Sequence, residues 1–270
     1  MRTALYVDGF NLYYAALRAR PQYRWLDLHA LAQNALDEMH EVVRIRYFTA
    51  RVKGAEGDQG GPERQDAYAR ALVCRCPNLT VHWGRFVVRE RWRRLVEPMT
   101  RSFAPCPEKV LTWHREEKGT DVSLGVHLLN DAWCDVYDCA VLVSDDSDLA
   151  EALSIVRDMG KQVVLLTPIG LQELGGGTSD GARRFPTREL LKHSHGCRHL
   201  SIKHLADSQM PDVVTNPRNG RQYRRPASWR MDDPPMIPRS NRVSEPLHTY
   251  ALGPRPSLPR HFSTRRVTNR

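Results

Sequence analysis

The sequence has no long apolar segment. Its longest apolar runs, at residues 140–143 and 163–166, are far shorter than the roughly 20 residues that cross a bilayer. The first residues reach Asp8 without a stretch of the signal-peptide kind. These absences predict a cytoplasmic protein that has no membrane partner.

Paired cysteines and nucleotide-binding loops are also missing. The 6 cysteines include no C-x-x-C pair, so the sequence indicates reduced thiols, mostly in the core, and no zinc ribbon or disulfide framework. There is no G-x-x-x-x-G-K-[ST], no G-x-G-x-x-G after the first predicted strand and no G-x-S-x-G elbow. We interpret His193, His195, Cys197 and His199 as a polar strand edge, because a linear row of ligands does not form a tetrahedral zinc site.

Positive charge is scarce outside the C-terminal region. Residues 212–270 hold twelve Arg, no Lys and four acids, which gives them +8 of the net charge of +9. Nine of the 18 prolines lie there too. This distribution predicts a near-neutral domain at residues 1–211 and a disordered Pro/Arg-rich tail at residues 230–270. The tail could add salt-sensitive attraction to RNA, or it could only keep the protein soluble.

Short apolar runs alternate with segments of helical period, which predicts an α/β fold with a mainly parallel sheet covered on both faces. The predicted strands are residues 3–7, 41–52, 79–88, 139–143 and 162–166. The predicted helices are residues 10–20, 28–39, 63–74, 122–132, 149–159 and 187–193. Residues 89–113 are predicted to form a hairpin-like excursion, residues 170–181 a mobile loop and residues 199–205 a final apolar segment.

Acidic residues stand at the ends of predicted strands. Asp8 closes the first strand, and Asp145 and Asp146 follow the strand at residues 139–143. Asp148 lies in the first turn of the next helix, and Asp121 opens the helix before that strand. In an open parallel sheet, ligands bind beyond the carboxyl ends of the strands at a topological switch point. If the two strands are neighbours, these carboxylates meet there.

Such a set of carboxylates indicates a cation site. Carboxylates repel one another unless a divalent cation sits between them, and oxygen ligands without a thiolate favour Mg²⁺ or Mn²⁺ over zinc. Asn11, one helical turn beyond Asp8, could add a neutral oxygen. The chemistry suits phosphodiester hydrolysis. The alternative is that these residues are helix caps, which we favour for Asp121 or Asp148 taken alone but not for the whole set.

Three segments together resemble the signature segments of the NYN domain, a branch of the PIN-like nucleases whose bacterial proteins are also called the LabA-type group. They are residues 7–12 (VDGFNL), 116–122 (EEKGTDV) and 143–149 (VSDDSDL). Their order and spacing match over about residues 3–210, and residues 206–211 and 226–229 extend the resemblance to about residue 229. The resemblance implies a three-layer α/β/α PIN-like, Rossmann-like fold and a metal-dependent ribonuclease.

Carried over to this sequence, the resemblance makes Asp8, Asp121, Asp146 and Asp148 the ligands of the cation. With Asn11 they form the predicted catalytic set. Asp145 stands where many family members have Gly, so it is an additional candidate ligand. Ser144 and Ser147 could hydrogen-bond carboxylates or RNA phosphate, or they could cap the following helix.

Three basic residues are candidate RNA contacts. Arg51 and Lys53 follow the second predicted strand at the same sheet edge, and Lys118 lies three residues before Asp121. Solvated surface charge is an equally good interpretation for each of them. Residues 85–94 interleave five Arg with aromatic residues, a pattern that suits single-stranded nucleic acid and equally suits a solvated hairpin.

The expected function is therefore a Mg²⁺- or Mn²⁺-dependent (endo)ribonuclease acting on single-stranded or structured RNA, with a homodimer as the candidate assembly. One alternative is a non-catalytic RNA-binding or regulatory module. Another is a DNA-directed nuclease of the flap-endonuclease-like group, which is disfavoured because the sequence shows no helical arch or helix-hairpin-helix segment.

Overall fold

The computed structural model describes residues 1–54, 58–94, 109–168 and 187–230. These residues belong to one compact unit, Met1–Asp232. The predicted loop at residues 170–181 and the predicted tail beyond Arg230 lie outside the described residues.

A sheet of seven strands forms the centre of this unit. Its strands are β1 (Arg2–Asp8), β2 (Glu41–Ala50), β3 (Leu79–Arg94), β4 (Lys109–Lys118), β5 (Cys139–Val143), β6 (Gln162–Thr167) and β7 (Gly196–His199). Their order is β4-β3-β2-β1-β5-β6-β7, and every neighbouring pair is parallel except β3 and β4. A separate two-stranded sheet pairs β8 (Val213–Thr215) with β9 (Gln222–Arg224). The prediction of a mainly parallel sheet is confirmed.

Helices cover the sheet. They are α1 (Gly9–Leu12), α2 (Leu28–Ala35), α3 (Gly61–Arg75), α4 (Thr120–Trp133), α5 (Ala150–Asp158), α6 (Arg188–Lys192) and α7 (Ile202–Asp207). A π-helical turn (Tyr13–Leu17) continues α1, and 3₁₀ turns occur at Pro21–Tyr23, Ser147–Leu149 and Ala227–Trp229.

Several predicted elements differ from the structure by more than two residues at one end. The helix predicted at residues 10–20 is α-helical only in α1, and the helix predicted at residues 28–39 ends early because Leu36 has an extended backbone. The strand predicted at residues 79–88 continues to Arg94, because it pairs with β4 in the expected hairpin. The segment at residues 199–205 divides between β7 and α7, and the row from His193 is not one strand, since β7 begins at Gly196.

Alternate side chains of β1 enter two different cores. Leu5 and Val7 pack in a cluster with α1, α2 and α3, whereas Ala4 and Tyr6 pack in a second cluster with α4 and α5. Because both faces of the strand are buried, its sequence is an unbroken apolar run rather than an alternating one. The described residues therefore form three layers, α/β/α.

A buried ionic network fixes α4 against the sheet. The Asp131 carboxylate on α4 is only 1% exposed and accepts hydrogen bonds from the Tyr6 hydroxyl at 2.8 Å and from Arg46 Nε at 2.6 Å. Arg44 Nη1 donates to the same carboxylate at 3.0 Å. The network ties the C-terminal part of α4 to β1 and β2.

The described cysteines are free thiols. Cys76 and Cys139 are buried and Cys134 is exposed, while the remaining described cysteines are half-buried. Among the described helices, none combines the length and apolar character that a membrane crossing requires.

Candidate acidic site

The acidic residues lie at the switch point of the sheet. β1 sits between β2 and β5, and the helices that follow β1 and β5 pack on opposite faces. Val7 of β1 pairs with Val143 of β5. The next residues along the two strands, Asp8 and Ser144, therefore lie side by side, as the sequence predicted for neighbouring strands.

Asp8 is the most constrained carboxylate of the site. It is 7% exposed, and its Oδ1 accepts hydrogen bonds from the backbone N–H groups of Phe10 at 3.0 Å and Asn11 at 2.9 Å. The hydroxyl of Ser144 donates to its Oδ2 at 3.1 Å, which places Ser144 as a carboxylate partner. Burial raises the pKa of Asp8, and the nearby charge of Asp146 raises it further, although these hydrogen bonds oppose the shift. Asp8 thus caps α1 and also faces other carboxylates.

Asp121 lies in the first turn of α4 and does not cap it. The cap position belongs to Gly119, which has φ of 95° and makes no side-chain cap hydrogen bond. Burial raises the pKa of Asp121 to about 6, and the charges of four neighbouring acids add to the effect. In decreasing order of effect, these acids are Asp8, Asp146, Glu117 and Asp148. Carboxylates from separate elements therefore lie within electrostatic range of one another.

Asp146 and Asp148 follow β5 directly. Asp146 caps the 3₁₀ turn, because its Oδ1 accepts the N–H of Asp148 at 3.0 Å, and its own N–H donates to Ser144 Oγ at 3.2 Å. The Asp148 and Ser147 side chains are exposed. The cap interpretation that we favoured for Asp121 or Asp148 alone is wrong: the capping residues are Asp8 and Asp146.

Asp145 is held by β6. Its Oδ1 accepts a hydrogen bond from the Thr167 hydroxyl at 2.5 Å, and no described residue donates to its buried Oδ2. Burial raises the pKa of Asp145 to about 6, and the charge of Asp8 contributes. Asp145 is therefore close enough to Asp8 to be repelled by it, while its hydroxyl partner belongs to the neighbouring strand.

The three basic candidates lie around the site without touching it. Arg51 stacks over the Trp83 ring at 4.3 Å, and Lys118 pairs with Glu116 at 2.6 Å. Lys53 is exposed beyond the end of β2. None of the three forms an ion pair with the acidic set within the described residues.

Glu117 is an acidic neighbour that the sequence reasoning missed. It accepts hydrogen bonds from the backbone N–H of Thr120 at 3.3 Å and from the hydroxyl of the same residue. Its carboxylate closely approaches Gly84, where an added Cβ would lie 2.5 Å from Glu117 Oε1. The predicted hairpin-like excursion ends at residue 113, but β4 continues to Lys118 and brings Glu117 within electrostatic range of Asp121. The available signal was its place in the same segment as Asp121.

The residue types of the site fit a hard divalent cation. All donors are oxygens, and the Oδ1 of Asn11 is buried without a hydrogen-bond donor among the described residues. In the conformation shown, however, no group of three or more His, Cys, Asp and Glu side chains within the described ranges is placed to hold a metal ion. The carboxylates of Asp8, Asp121, Asp146 and Asp148 thus lie within electrostatic range of one another without forming a metal-ligating cluster in this conformation.

A second concave feature, which we call the aromatic pocket, opens beside α1. It has a volume of about 390 Å³. Its aromatic walls comprise Phe10, Tyr13, Tyr14, Tyr47, Tyr68, Phe86 and Trp229. Gly9 and Phe10 line it directly after Asp8, so the pocket adjoins the acidic site through one turn of chain.

The structure places the chain in the class of three-layer α/β/α proteins that carry an acidic site at the switch point of the central sheet. The sequence also matches the NYN domain model over residues 2–174, which is more than half of the chain. The chain therefore belongs to the NYN domain family, within the PIN-like superfamily, and has the nuclease-type fold of that family.

Two further proteins are similar to this chain. One is the 6-hydroxy-3-succinoylpyridine 3-monooxygenase HspA of Pseudomonas putida (strain DSM 28022 / S16), 29% identical over 253 residues, which cover 85% of this chain and 75% of that protein. The other is a solved structure, a protein of unknown function, VPA0982, from Vibrio parahaemolyticus RIMD 2210633. It is 14% identical with a TM-score of 0.41, and the match covers 77% of this chain and 96% of that one.

Proposed function

We propose that the chain is a metal-dependent ribonuclease that hydrolyses RNA phosphodiester bonds with Mg²⁺ or Mn²⁺ held by Asp8, Asp121, Asp146 and Asp148. The observation that supports the proposal is that carboxylates from β1, α4 and the turn after β5 lie within electrostatic range of one another near the switch point of the sheet. The preference for RNA rests on the resemblance of the three signature segments to NYN ribonucleases.

The hydrogen bonds, burial and pKa of each residue determine its role in the proposed site. Asp8 is held by three hydrogen bonds, so it would be the most rigid ligand of the site, and Ser144 would keep its Oδ2 in place. Asn11 would offer its amide oxygen, which has no hydrogen-bond donor among the described residues. Asp121 would be fully charged only above its pKa of about 6. When bound, the cation would lower the pKa of a water molecule and neutralise charge on the scissile phosphate.

Basic side chains at the same sheet edge would attract the RNA backbone. Arg51 and Lys53 follow β2, whose neighbour β1 ends at Asp8. Lysine and arginine contacts to phosphate position a nucleic acid without reading its sequence. Single-stranded or structured RNA is therefore the proposed partner, and salt should weaken its binding.

Substitution of Asp146 by Asn should lower Mn²⁺-dependent RNA cleavage by at least about 100-fold, the scale of losing one well-placed electrostatic group in an active site. The measurement compares wild type and Asp146→Asn on single-stranded and structured RNA and on DNA of matched sequence, with Mn²⁺ and with EDTA. Asp207→Asn is the matched control, because Asp207 is an exposed aspartate paired with Lys203 on α7.

Each other outcome of that experiment has a definite meaning. Metal-dependent cleavage that persists in Asp146→Asn would overturn the proposed site. Metal-independent RNA binding without any product would favour the non-catalytic RNA-binding module. Preferential cleavage of DNA would favour the flap-endonuclease-like alternative.

A second candidate function comes from the Pseudomonas putida relative, whose name describes a 3-monooxygenase of 6-hydroxy-3-succinoylpyridine. The observation in its favour is the aromatic pocket, whose walls suit a planar ring better than a bare phosphate group. Consumption of that pyridine that requires both O₂ and an added two-electron reductant, by a chain that leaves RNA intact, would favour this function over the ribonuclease.

A further inference from the structure

The walls of the aromatic pocket are rings that hold one another in place. Phe10 and Phe86 meet edge to face with ring centres 5.4 Å apart, and Tyr47 and Tyr68 do so at 6.1 Å. The Tyr68 hydroxyl donates to the Leu26 carbonyl at 2.9 Å, which fixes that ring. Phe10 also lies nearly parallel to Tyr14, with ring centres 6.4 Å apart. A planar aromatic ligand can stack on such rings or pack against them edge to face. The volume of about 390 Å³ lies within the range of roughly 300–1,000 Å³ typical of small-molecule sites.

The charge around the pocket is positive. Arg24, Lys53 and Arg64 line it together with one acid, Asp58, which pairs with Arg64. Arg24 is held 5.3 Å over the Tyr13 ring. The Lys53 ammonium group is exposed and forms no ion pair with the part of the chain that the structure describes. The lining therefore carries a net positive charge that an anionic ligand would neutralise.

The segment that carries Lys53 is anchored by Gln65 of α3. The side chain of Gln65 accepts the backbone N–H of Val52 at 3.0 Å and donates to the Ala50 carbonyl at 2.9 Å. These bonds fix the chain where it leaves β2, just before Lys53. The pocket thus combines aromatic rings with the cation of Lys53, and the backbone next to Lys53 is held by hydrogen bonds to Gln65.

The pocket is chemically separate from the acidic site. None of the clustered carboxylates lines it, and the two features share only the chain at Gly9 and Phe10. At Gly9 an added Cβ would lie 2.7 Å from the Phe48 carbonyl oxygen, so the first residue of α1 packs directly against the backbone of β2. A ligand of the pocket would be held by rings and cations and needs no metal ion.

We propose that the aromatic pocket binds a planar aromatic ring that carries a negatively charged group, with the ring against Phe10 and Tyr14 and the anion towards Lys53. Two sources supply this chemistry, the base and phosphate of a nucleotide and a free aromatic carboxylic acid. The proposal does not depend on the ribonuclease, because binding takes place outside the carboxylate site.

Calorimetric titration of the full chain in EDTA tests the proposal. The charged probes are uridine 5′-monophosphate, adenosine 5′-monophosphate and pyridine-3-carboxylate, and the neutral controls are uridine, adenosine and pyridine-3-carboxamide. We expect a charged probe to bind at least about tenfold more tightly than its neutral counterpart, because one charge-assisted contact is worth about that factor. The tightest probe identifies the source of the ring.

Variants locate the binding. Tyr14→Ala and Lys53→Ala should each weaken the tightest probe by about tenfold, since both side chains line the pocket and are exposed enough to be replaced without unfolding the chain. Trp133→Ala and Lys203→Ala are matched controls, because these side chains are 83% and 82% exposed on other helices.

Asp146→Asn should bind the probe as wild type does, which separates this proposal from the ribonuclease. Failure of every probe to bind, equal binding of charged and neutral probes, or binding that Tyr14→Ala and Lys53→Ala leave unchanged would overturn it.

Discussion

Asp121→Asn should abolish metal-dependent RNA cleavage and, without metal, make the protein more stable at neutral pH. Asp121 is half-buried among four other acids, so its ionised form is disfavoured and its pKa rises to about 6. The Asn side chain has the same shape without the charge. Each pKa unit corresponds to about 1.4 kcal/mol, and partial exposure reduces the effect, so we expect a gain of about 1–2 kcal/mol at pH 7.5.

The pH dependence gives this prediction its sign. A carboxyl whose folded pKa is raised contributes stability that is fully present below its unfolded pKa of 3.8 and is lost as pH rises through about 6. Wild type and Asp121→Asn should therefore be close in stability near pH 4, diverge between about pH 4 and pH 6, and differ by a constant amount at higher pH. Thermal unfolding in EDTA at pH 4.5 and 7.5 measures the difference, with Asp207→Asn as the control.

A gain in stability that is equal at both pH values would contradict this explanation, because it would not come from the ionised carboxylate. The same titration should appear in activity. A proton on Asp121 competes with the cation, so the Mn²⁺ concentration needed for half-maximal cleavage should rise as pH falls through about 6.

Asp131→Ala should destabilise the protein by about 3–5 kcal/mol, the range for removing one partner of a buried charge network. The Asp131 carboxylate is 1% exposed, and its loss leaves Arg46, which is only 12% exposed, and the Tyr6 hydroxyl without their acceptor. Chemical denaturation measures the change.

Asp135→Asn is the control for Asp131→Ala. Asp135 also pairs with two cations, Arg2 and Lys161, but its side chain is 68% exposed. Asn removes the charge and tolerates the left-handed backbone of this position, where φ is 52°. Exposed pairs contribute only about 0–1 kcal/mol. A loss in Asp131→Ala no larger than that in Asp135→Asn would show that the buried network does not hold α4 in place.

The central strands could be predicted because burial on both faces leaves a plain apolar signal. The strand predicted at residues 139–143 coincides with β5, and the first predicted strand differs from β1 by one residue at each end. The outer half of β3 gave no such signal. Its residues 89–94 are exposed and mostly charged, and their strand conformation depends on pairing with β4, which is distant in sequence.

The acidic site was predictable to the extent that topology dictates it. Residues that end neighbouring parallel strands must meet, which is why Asp8 and the carboxylates after β5 were expected together. The hydrogen-bond partner of each carboxylate could not be predicted from the sequence. The bond between Asp145 and Thr167 joins two strands whose register becomes known only in the fold.

The aromatic pocket could not be predicted from the sequence. Phe10, Tyr47, Tyr68, Phe86 and Trp229 come from five separate elements, and no spacing pattern relates them. Most of these aromatic residues also lie in the apolar patterns of core-facing strands and helices. The sequence therefore did not distinguish a residue that lines the pocket from a residue of the core. Only the packing of α1 and α3 over the end of β2 brings these rings together.

Anomalous diffraction from crystals of the full chain soaked in Mn²⁺ tests the proposed metal site most directly. We predict a manganese peak bounded by the carboxylates of Asp8, Asp121, Asp146 and Asp148, with these side chains turned towards it, and no such peak in Asp146→Asn crystals treated in the same way. Wild-type crystals with an ordered site, saturating Mn²⁺ and no manganese peak among these carboxylates would contradict the proposal.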